Sequence, residues 1–323
     1  MKKLFVDELQ DFRIGHQQDT DALTGCTVII CEEGATTGVD VKGGAPGTRE
    51  TDLLASENTV EKAHATFLSG GSAFGLDAGS GVMYFLEERD IGFDVVFAKV
   101  PIVPGAILFD LGVGSPSIRP DKMMGYQACV NAYENTSVFG NVGAGCGATV
   151  GKALGNDYSM KSGIGFAAYQ LGSLQVAAVV AVNAIGDIVD PITNQTIAGL
   201  YDKTKRQFLS SEETLISQAE KKLLAQDRYS GNTTIGTIMT NANLTKAQTN
   251  KIASIAQDGI AKTITPSHTL IDGDTLFMMA SGKVEADPNA IAIIATKVIQ
   301  EAIIDGVKKA TSVAGIPSYN DIF

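Results

Sequence analysis

Residues 227–240 read DRYSGNTTIGTIMT, and the break between Asn232 and Thr233 decides how the chain is read. The six residues up to Asn232 are polar turn formers and predict an exposed loop. The next eight are rich in Thr and Ile and predict a buried strand that opens on Thr233. A strand headed by Thr after an exposed Asn has a chemical use. The Thr hydroxyl can attack the carbonyl of Asn232 and turn that amide into an ester, and water then releases a new N-terminus on Thr233. The freed α-amine has a pKa of about 8, so roughly a tenth of it is neutral at pH 7. It serves as base to its own hydroxyl. No His is needed, which suits a chain whose only three are His16, His64 and His268. An ordinary turn-to-strand step is the competing reading of the same residues.

Upstream of this break, 201–230 carries charges of both signs and predicts a surface helix over 211–225. Before it, 174–183 is almost purely Ala and Val, as expected of a strand covered on both faces, and 163–170 predicts a companion strand. Further out, CTVIIC at 26–31 predicts a short buried strand, 38–52 a Gly-rich loop, and 72–88 a helix entered through Ser69-Gly70-Gly71. Residues 106–110 predict a strand, 122–133 a helix and 139–155 a long Gly-rich turn. Downstream, Thr245 opens a capping box with Gln248, and Ile252, Ile255 and Ala256 stripe the helix that follows. Asp274 to Met279 predicts another strand. Asp287-Pro288 starts a last helix with Ile291, Ile294, Ala295 and Val298 on its buried face. Strands in the middle with helices on either side imply a layered sheet-and-helix sandwich.

The 323 residues are 44% hydrophobic and 19% charged, without Trp, so a sizeable core must be built from Ala, Val, Ile and Leu. A net charge of −11 argues against a nucleic-acid partner bound through a basic face. Asp7 and Glu8 interrupt any apolar leader after Lys2 and Lys3, and the longest apolar run, 174–185, is too short to span a bilayer. A soluble, cytoplasmic protein is expected. Cys26, Cys31, Cys129 and Cys146 form no CxxC pair. Neither GxSxG nor HExxH occurs, and no metal or other cofactor is expected. The GxGxxxG spacing from Gly145 to Gly151 is a weak nucleotide signal without a strand-loop-helix unit around it.

Seven segments in one order carry a resemblance: RIGH at 13–16, GVDVKGGAPGTRETDLL at 38–54, LSGGSAFGLDAGSGV at 68–82, GNVGAGCGATVGK at 140–152, AVNAIGD at 181–187, NTTIG at 232–236 and DGDT at 272–275. Over nearly its whole length the chain resembles the self-processing DmpA-type aminopeptidases, the L-aminopeptidase/D-esterase family that includes β-aminopeptidases and nylon-oligomer hydrolases. The resemblance implies an α/β fold, a four-layer αββα sandwich of N-terminal-nucleophile type, in a single domain over 1–323. It implies self-cleavage between Asn232 and Thr233 into fragments 1–232 and 233–323, and assembly of the cleaved pairs into tetramers.

The same resemblance makes Thr233 the nucleophile and Asn183 the oxyanion donor. It adds Lys152, and the acids Asp272 and Asp274, which would hold the Thr233 amine or hydroxyl in register. Blander readings stand beside these. Asn183 would cap a turn, Asp272-Gly273 would be a plain hairpin turn, and Lys152 a solvated loop residue. Ser69 to Gly75 is expected to pack beneath the site, and Arg49 and Glu50 to form an ion pair or loop clamp. Aminopeptidase members are expected to carry an acid in the GNVGxG loop to bind the substrate's free amine; here Ala144 stands there, with Cys146 beside it. Those two are the expected substrate-binding positions, Cys146 reading more readily as a small buried residue than as a thiol nucleophile. GAGCGATVGK looks closer to the nylon-oligomer branch. The expected function is hydrolysis of amides in short peptides or ω-amino-acid oligomers. The alternatives are an aminopeptidase and a non-catalytic binding protein that kept the fold.

Overall fold

The computed structural model describes residues 1–134, 138–220 and 231–323. Its largest sheet has ten strands: β1 (Lys2–Lys3), β2 (Arg13–Asp19), β3 (Thr24–Val41), β4 (Thr48–Arg49), β5 (Lys62–Ser69), β6 (Gly105–Ile107), β7 (Ile164–Leu171), β8 (Leu174–Asn183), β9 (Thr233–Ala242) and β10 (Thr275–Val284). The helices are α1 (Ala78–Glu87), α2 (Lys122–Tyr133), α3 (Ser211–Glu220), α4 (Lys246–Ala261) and α5 (Pro288–Lys309). The strand order is β1-β7-β8-β9-β10-β3-β5-β6-β4, with β2 also on β3. The β9–β10 and β5–β6 pairs are parallel and the others antiparallel.

The long strand β3 folds this ladder into two layers. Its first part pairs with β2 and β5, and its last part, from Thr36 to Val41, pairs with β10. Between them the register shifts and Gly34 takes a positive φ of 73°, the bend expected of a bulge. The two halves then face each other. Ala177, Val179 and Ala181 of β8 share one buried cluster with Ile29, Leu68 and Ala106, and Thr66 of β5 meets Thr237 of β9 at 2.8 Å across the interface.

Alternation along β8 builds the next layer. Val176, Ala178, Val180 and Val182 point the other way, into a cluster with Ile252, Ala256, Ile291, Ala295 and Val298 of α4 and α5. Each fully buried Val contributes roughly 1.5–3 kcal/mol, so a strand buried on both faces is a large part of what holds the fold. On the far side α1 and α2 cover Val28, Ile30, Ala65 and Phe67. The result is helices, sheet, sheet, helices: the αββα sandwich.

Several elements differ from the sequence expectation. The strand expected at 26–31 runs on to Val41, taking in the first four residues of the Gly-rich stretch. Gly38 is there because a Cβ would come within 2.4 Å of the Asn250 backbone nitrogen on α4. Only Ala78–Glu87 of 72–88 is α-helix; Ser72–Asp77 is a 3₁₀ turn, since Gly75 lies so tightly on Gly70 that a Cβ would sit 1.8 Å from its carbonyl oxygen. The strand expected over 106–110 stops at Ile107, where Asp110 turns to accept bonds from Gly71 N–H and Thr24 Oγ1, both 2.7 Å. Asn232 is buried rather than exposed, for reasons given below. Residues 221–225 of the expected helix and 227–230 of the expected loop lie outside the described residues. The capping box at Thr245 and the Asp287 cap before Pro288 are present.

Candidate active site

The sheet brings three chain segments to one end. Asn183, the last residue of β8, pairs with Thr233, the first of β9. The parallel neighbour β10 starts at Thr275 opposite Ile235, and three residues further out on each strand Asn232 bridges Asp272. Odd-numbered β9 residues Ile235 and Met239 face the space between the sheets, so the alternation directs Thr233 to the mouth of that space.

Thr233 is buried, and its Oγ1 donates to the carbonyl oxygen of Asn232. The same carbonyl accepts the Gly273 N–H at 2.8 Å. A Cβ on Gly273 would lie 2.9 Å from Thr233 Oγ1, so this glycine lets the backbone approach the hydroxyl. The amide between Asn232 and Thr233 thus has a polarised carbonyl and a hydroxyl beside it. It is buried because the glycine loop 42–47 lies over the Asp272–Asp274 segment. The Lys42 and Gly43 N–H groups donate to Asp274 O, and Ala45 N–H donates to Asp272 O at 2.8 Å. A Cβ on Gly43 would sit 2.2 Å from Asp272 O.

Asn183 is fully buried with its amide engaged at both ends. Its Oδ1 accepts Thr149 N–H at 3.1 Å and Lys152 Nζ at 2.9 Å. Its Nδ2 donates to Phe109 O at 2.9 Å and reaches Gly231 O at 3.5 Å. Lys152 is buried too, against the solvated reading. Its Nζ donates to Asn183 O at 2.8 Å and reaches Gly231 O at 3.5 Å. Burial pulls its pKa down to about 7, against smaller upward pushes from Asp272 and Asp110, so near neutral pH a good part of it is an uncharged amine.

The two acids divide their work. Asp274 Oδ1 accepts the Thr234 N–H at 2.7 Å, one residue past Thr233. Its Oδ2 takes the His268 backbone N–H at 3.0 Å and lies 2.8 Å from His268 Nδ1. Asp272 Oδ2 accepts from Thr269 N and Thr269 Oγ1 at 2.8 and 2.6 Å. Burial first, then the Asp274 charge, raise the Asp272 pKa.

Ala144 and Cys146 sit further off, in the 140–152 turn. Ala144 is wholly buried in the inter-sheet cluster and donates its N–H to Thr27 Oγ1 at 3.1 Å. Cys146 Sγ lies 3.8 Å from Asp19 O, and burial lifts its pKa to about 11, far from a reactive thiolate. Arg49 and Glu50 reach separate partners: Arg49 holds Ser80 on α1 at 3.2 Å, and Glu50 accepts Val103 N–H at 3.4 Å.

Three side chains around the site escaped the sequence reading. His268 braces Asp274; burial lowers its pKa, but the Asp274 bond and charge outweigh that and leave it raised. Asp110 ties the end of β6 to Gly71 and Thr24. Lys161 is fully buried and donates to Gly145 O and Ala148 O, both 3.0 Å, and to Ser162 O. It thereby staples the turn that delivers Thr149 and Lys152. No periodicity marks it, since its neighbours in NDYSMKSG are polar and read as loop.

Residues 7–319 match the model of peptidase family S58. An uncharacterized aminopeptidase of Mycobacterium leprae is 39% identical, over 98% of this chain and 94% of its own. The 6-aminohexanoate-oligomer endohydrolase of Kocuria sp. is 30% identical, over 91% of this chain and 83% of its own. Among solved structures, the L-aminopeptidase D-Ala-esterase/amidase of Ochrobactrum anthropi superposes with a TM-score of 0.69 at 15% identity, covering 96% of this chain and 87% of that one. A Burkholderia sp. beta-aminopeptidase does so with 0.67 at 17%, covering 96% and 88%. At that identity the likeness speaks for the fold, the N-terminal-nucleophile hydrolase sandwich. The sequence match over almost the full length says more: the chain belongs to peptidase family S58 and is an amide-bond hydrolase.

Proposed function

We propose that the chain is a self-processing amidohydrolase that cuts itself between Asn232 and Thr233 and then uses Thr233 as its nucleophile. The observation that carries this reading is the Asn232 carbonyl, which takes the Thr233 hydroxyl and the Gly273 N–H together. Thr233 Oγ attacks the carbonyl carbon, Lys152 in its neutral form is the base that takes the hydroxyl proton, and Gly273 N–H stabilises the oxyanion. The C–N bond breaks, its nitrogen takes a proton, and an ester joins Asn232 to Thr233 Oγ. Water hydrolyses the ester, leaving a carboxylate on Asn232 and a free amine and hydroxyl on Thr233.

In the mature enzyme of fragments 1–232 and 233–323 that amine is the base. Departure of the Gly231 carbonyl frees an Asn183 Nδ2 hydrogen, which joins the Gly273 N–H at the substrate oxyanion, a donor typically worth ~3 kcal/mol. Asp274 fixes the strand backbone at Thr234, and Asp272 holds the turn that presents Gly273. Ala144 and Cys146 are proposed to line the substrate side from the 140–152 turn.

The substrates are amides of short peptides or linear ω-amino-acid oligomers. Ala144 favours the second class, because no acid there binds a free amine; the aminopeptidase name of the mycobacterial relative supports the first. The working form is proposed to be a cytoplasmic tetramer of cleaved pairs. Among the described residues no helix is long and apolar enough to cross a membrane.

The test is intact mass and N-terminal sequencing of purified, active protein. Two fragments, the second beginning at Thr233, are expected; an unbroken chain with full activity overturns the reading. An unbroken chain with no esterase activity would favour the non-catalytic alternative. Aminoacyl p-nitroanilides against 6-aminohexanoate oligomers, with free and blocked amines, then separate the two substrate classes.

A further inference from the structure

We infer that the Phe109 side chain is a specificity wall that requires an acyl chain without a branch at the position Gly231 occupies in the precursor. The inference rests on the self-processing reading. The ester formed in self-cleavage and the ester formed with a substrate have the same connectivity, an acyl carbonyl on Thr233 Oγ. Residues 231–232 therefore stand where the acyl part of a substrate stands, and their surroundings report the shape of that subsite.

Gly231 lies against Phe109 with no space for a side chain. A Cβ there would come within 2.4 Å of Phe109 Cβ, 2.6 Å of Cγ and 2.9 Å of Cδ2. The shortest contact is to Phe109 Cβ, so turning the ring does not relieve it.

Neither side can retreat cheaply. The Phe109 carbonyl holds Asn183 Nδ2 at 2.9 Å, Leu108 N–H is bonded to Ser69 O at 2.8 Å, and Asp110 is fixed by Gly71 and Thr24. The Gly231 carbonyl faces both Lys152 Nζ and Asn183 Nδ2 at 3.5 Å. Moving either residue would disturb the groups that surround the nucleophile.

Counting from the scissile carbonyl carbon, the Cα of Gly231 is the fourth atom along the acyl chain. A glycine passes the wall there, and so does a methylene of an ω-amino acid, whereas any other α-amino acid at that place collides. The substrate class this selects is an acyl donor with glycine or an unbranched methylene run at that depth.

The experiment has a processing arm and a substrate arm. Cleavage of freshly purified precursor is followed by intact mass in the wild type, Gly231→Ala, and Gly231→Ala combined with Phe109→Gly; alanine at 109 would keep the offending Cβ. Gly231→Ala should slow cleavage about 100-fold, the effect of displacing a reacting group by about an ångström, and the double variant should recover most of it. Recovery separates a steric effect from misfolding. In the mature enzyme, glycyl-asparaginyl p-nitroanilide should outrun the alanyl-asparaginyl compound in kcat/KM, and Phe109→Gly should bring the two together. Wild-type cleavage with Gly231→Ala equally fast, or a slow Gly231→Ala that Phe109→Gly does not rescue, overturns the wall and leaves self-processing standing. A wild-type chain that never breaks at Asn232 sinks both.

Discussion

Asn183 and Thr233 are cross-strand partners, the last residue of β8 against the first of β9. Eight consecutive residue pairs, from Val176 with Thr240 to Asn183 with Thr233, set that register. A slip of one residue would turn every Val of β8 from one buried layer to the other. The packing of the core therefore fixes which residue stands opposite Asn183. The site inherits its precision from the sheet rather than from its loops.

Replacing Thr233 by Ala removes the only hydroxyl at that place and keeps the β9 backbone. The variant should remain one chain of 323 residues, hydrolyse no substrate and unfold at close to the wild-type temperature. Intact mass, an amidase assay and a thermal melt check the three outcomes. Cleavage at the same bond in this variant would remove Thr233 from the mechanism.

Lys152 carries a pH prediction. Its pKa is held at about 7 by burial, and the neutral amine is the form that accepts a proton. Self-cleavage of the precursor should therefore speed up as pH rises through about 7 and then level off. Lys152→Met should lose that rise and slow cleavage ~100-fold or more, the usual contribution of a positioned base. A pH profile of precursor decay reads both.

Lys161 tests the frame behind the site. Lys161→Met would leave the buried carbonyls of Gly145, Ala148 and Ser162 without their ammonium donor. The loss should be about 1–3 kcal/mol, the cost of one abandoned buried acceptor, since Gly145 O and Ala148 O keep the Ala148 and Ser162 N–H donors. Its pKa is also pulled down to about 7 in the folded chain by burial, while an unfolded Lys titrates near ~10.4. Between those values the unfolded chain binds the extra proton, so wild-type stability should rise with pH across that window. Urea unfolding at several pH values should show the rise in the wild type and a flatter trend in Lys161→Met.

How much of this could be read without coordinates depends on where each residue's partners lie. The pure Ala/Val run of β8, the Thr245 capping box and the Thr-headed start of β9 are local signals, and the structure places strand, cap and strand where they predict them. Gly38 misled the reading of β3, because its glycine answers to Asn250 on α4, more than two hundred positions away. Asn232 looked exposed for the same kind of reason. Polar turn residues suggest solvent, and only the loop at 42–47 folding over Asp272 and Asp274 buries it. Thr233 is legible locally, as the head of a strand after a polar turn, whereas Asn183, Lys152, Asp272 and Asp274 come from a seven-segment resemblance and not from their spacing. Lys161 bonds backbone carbonyls, Asp110 the Gly71 N–H and the far-off Thr24 hydroxyl, and His268 an acid six residues on, and sequence pattern carries no trace of these pairings.

Gly273 offers the sharpest steric test of the self-cleaving arrangement. A methyl group there would stand 2.9 Å from Thr233 Oγ1 and 3.0 Å from Ala45 O, both inside ordinary contact distance. Gly273 is not in the positive-φ region, so alanine imposes no backbone strain of its own and acts through space alone. The hydroxyl can yield by rotating away from the Asn232 carbonyl, whereas Ala45 O, fixed in the loop over the two acids, cannot. Gly273→Ala should therefore fold, with a modest loss of stability, and yet process slowly, by about 100-fold if the reacting atoms part by about an ångström. Once the chain has been cut, the Thr233 hydroxyl is no longer tied to Asn232 and has more freedom to settle beside the methyl. Precursor decay should then suffer more than turnover by the fraction that has matured. Time-resolved intact mass, with activity expressed per free Thr233 terminus, distinguishes the two. Equal loss in both measurements would mean that the glycine serves the strand start in general and not the hydroxyl before cleavage.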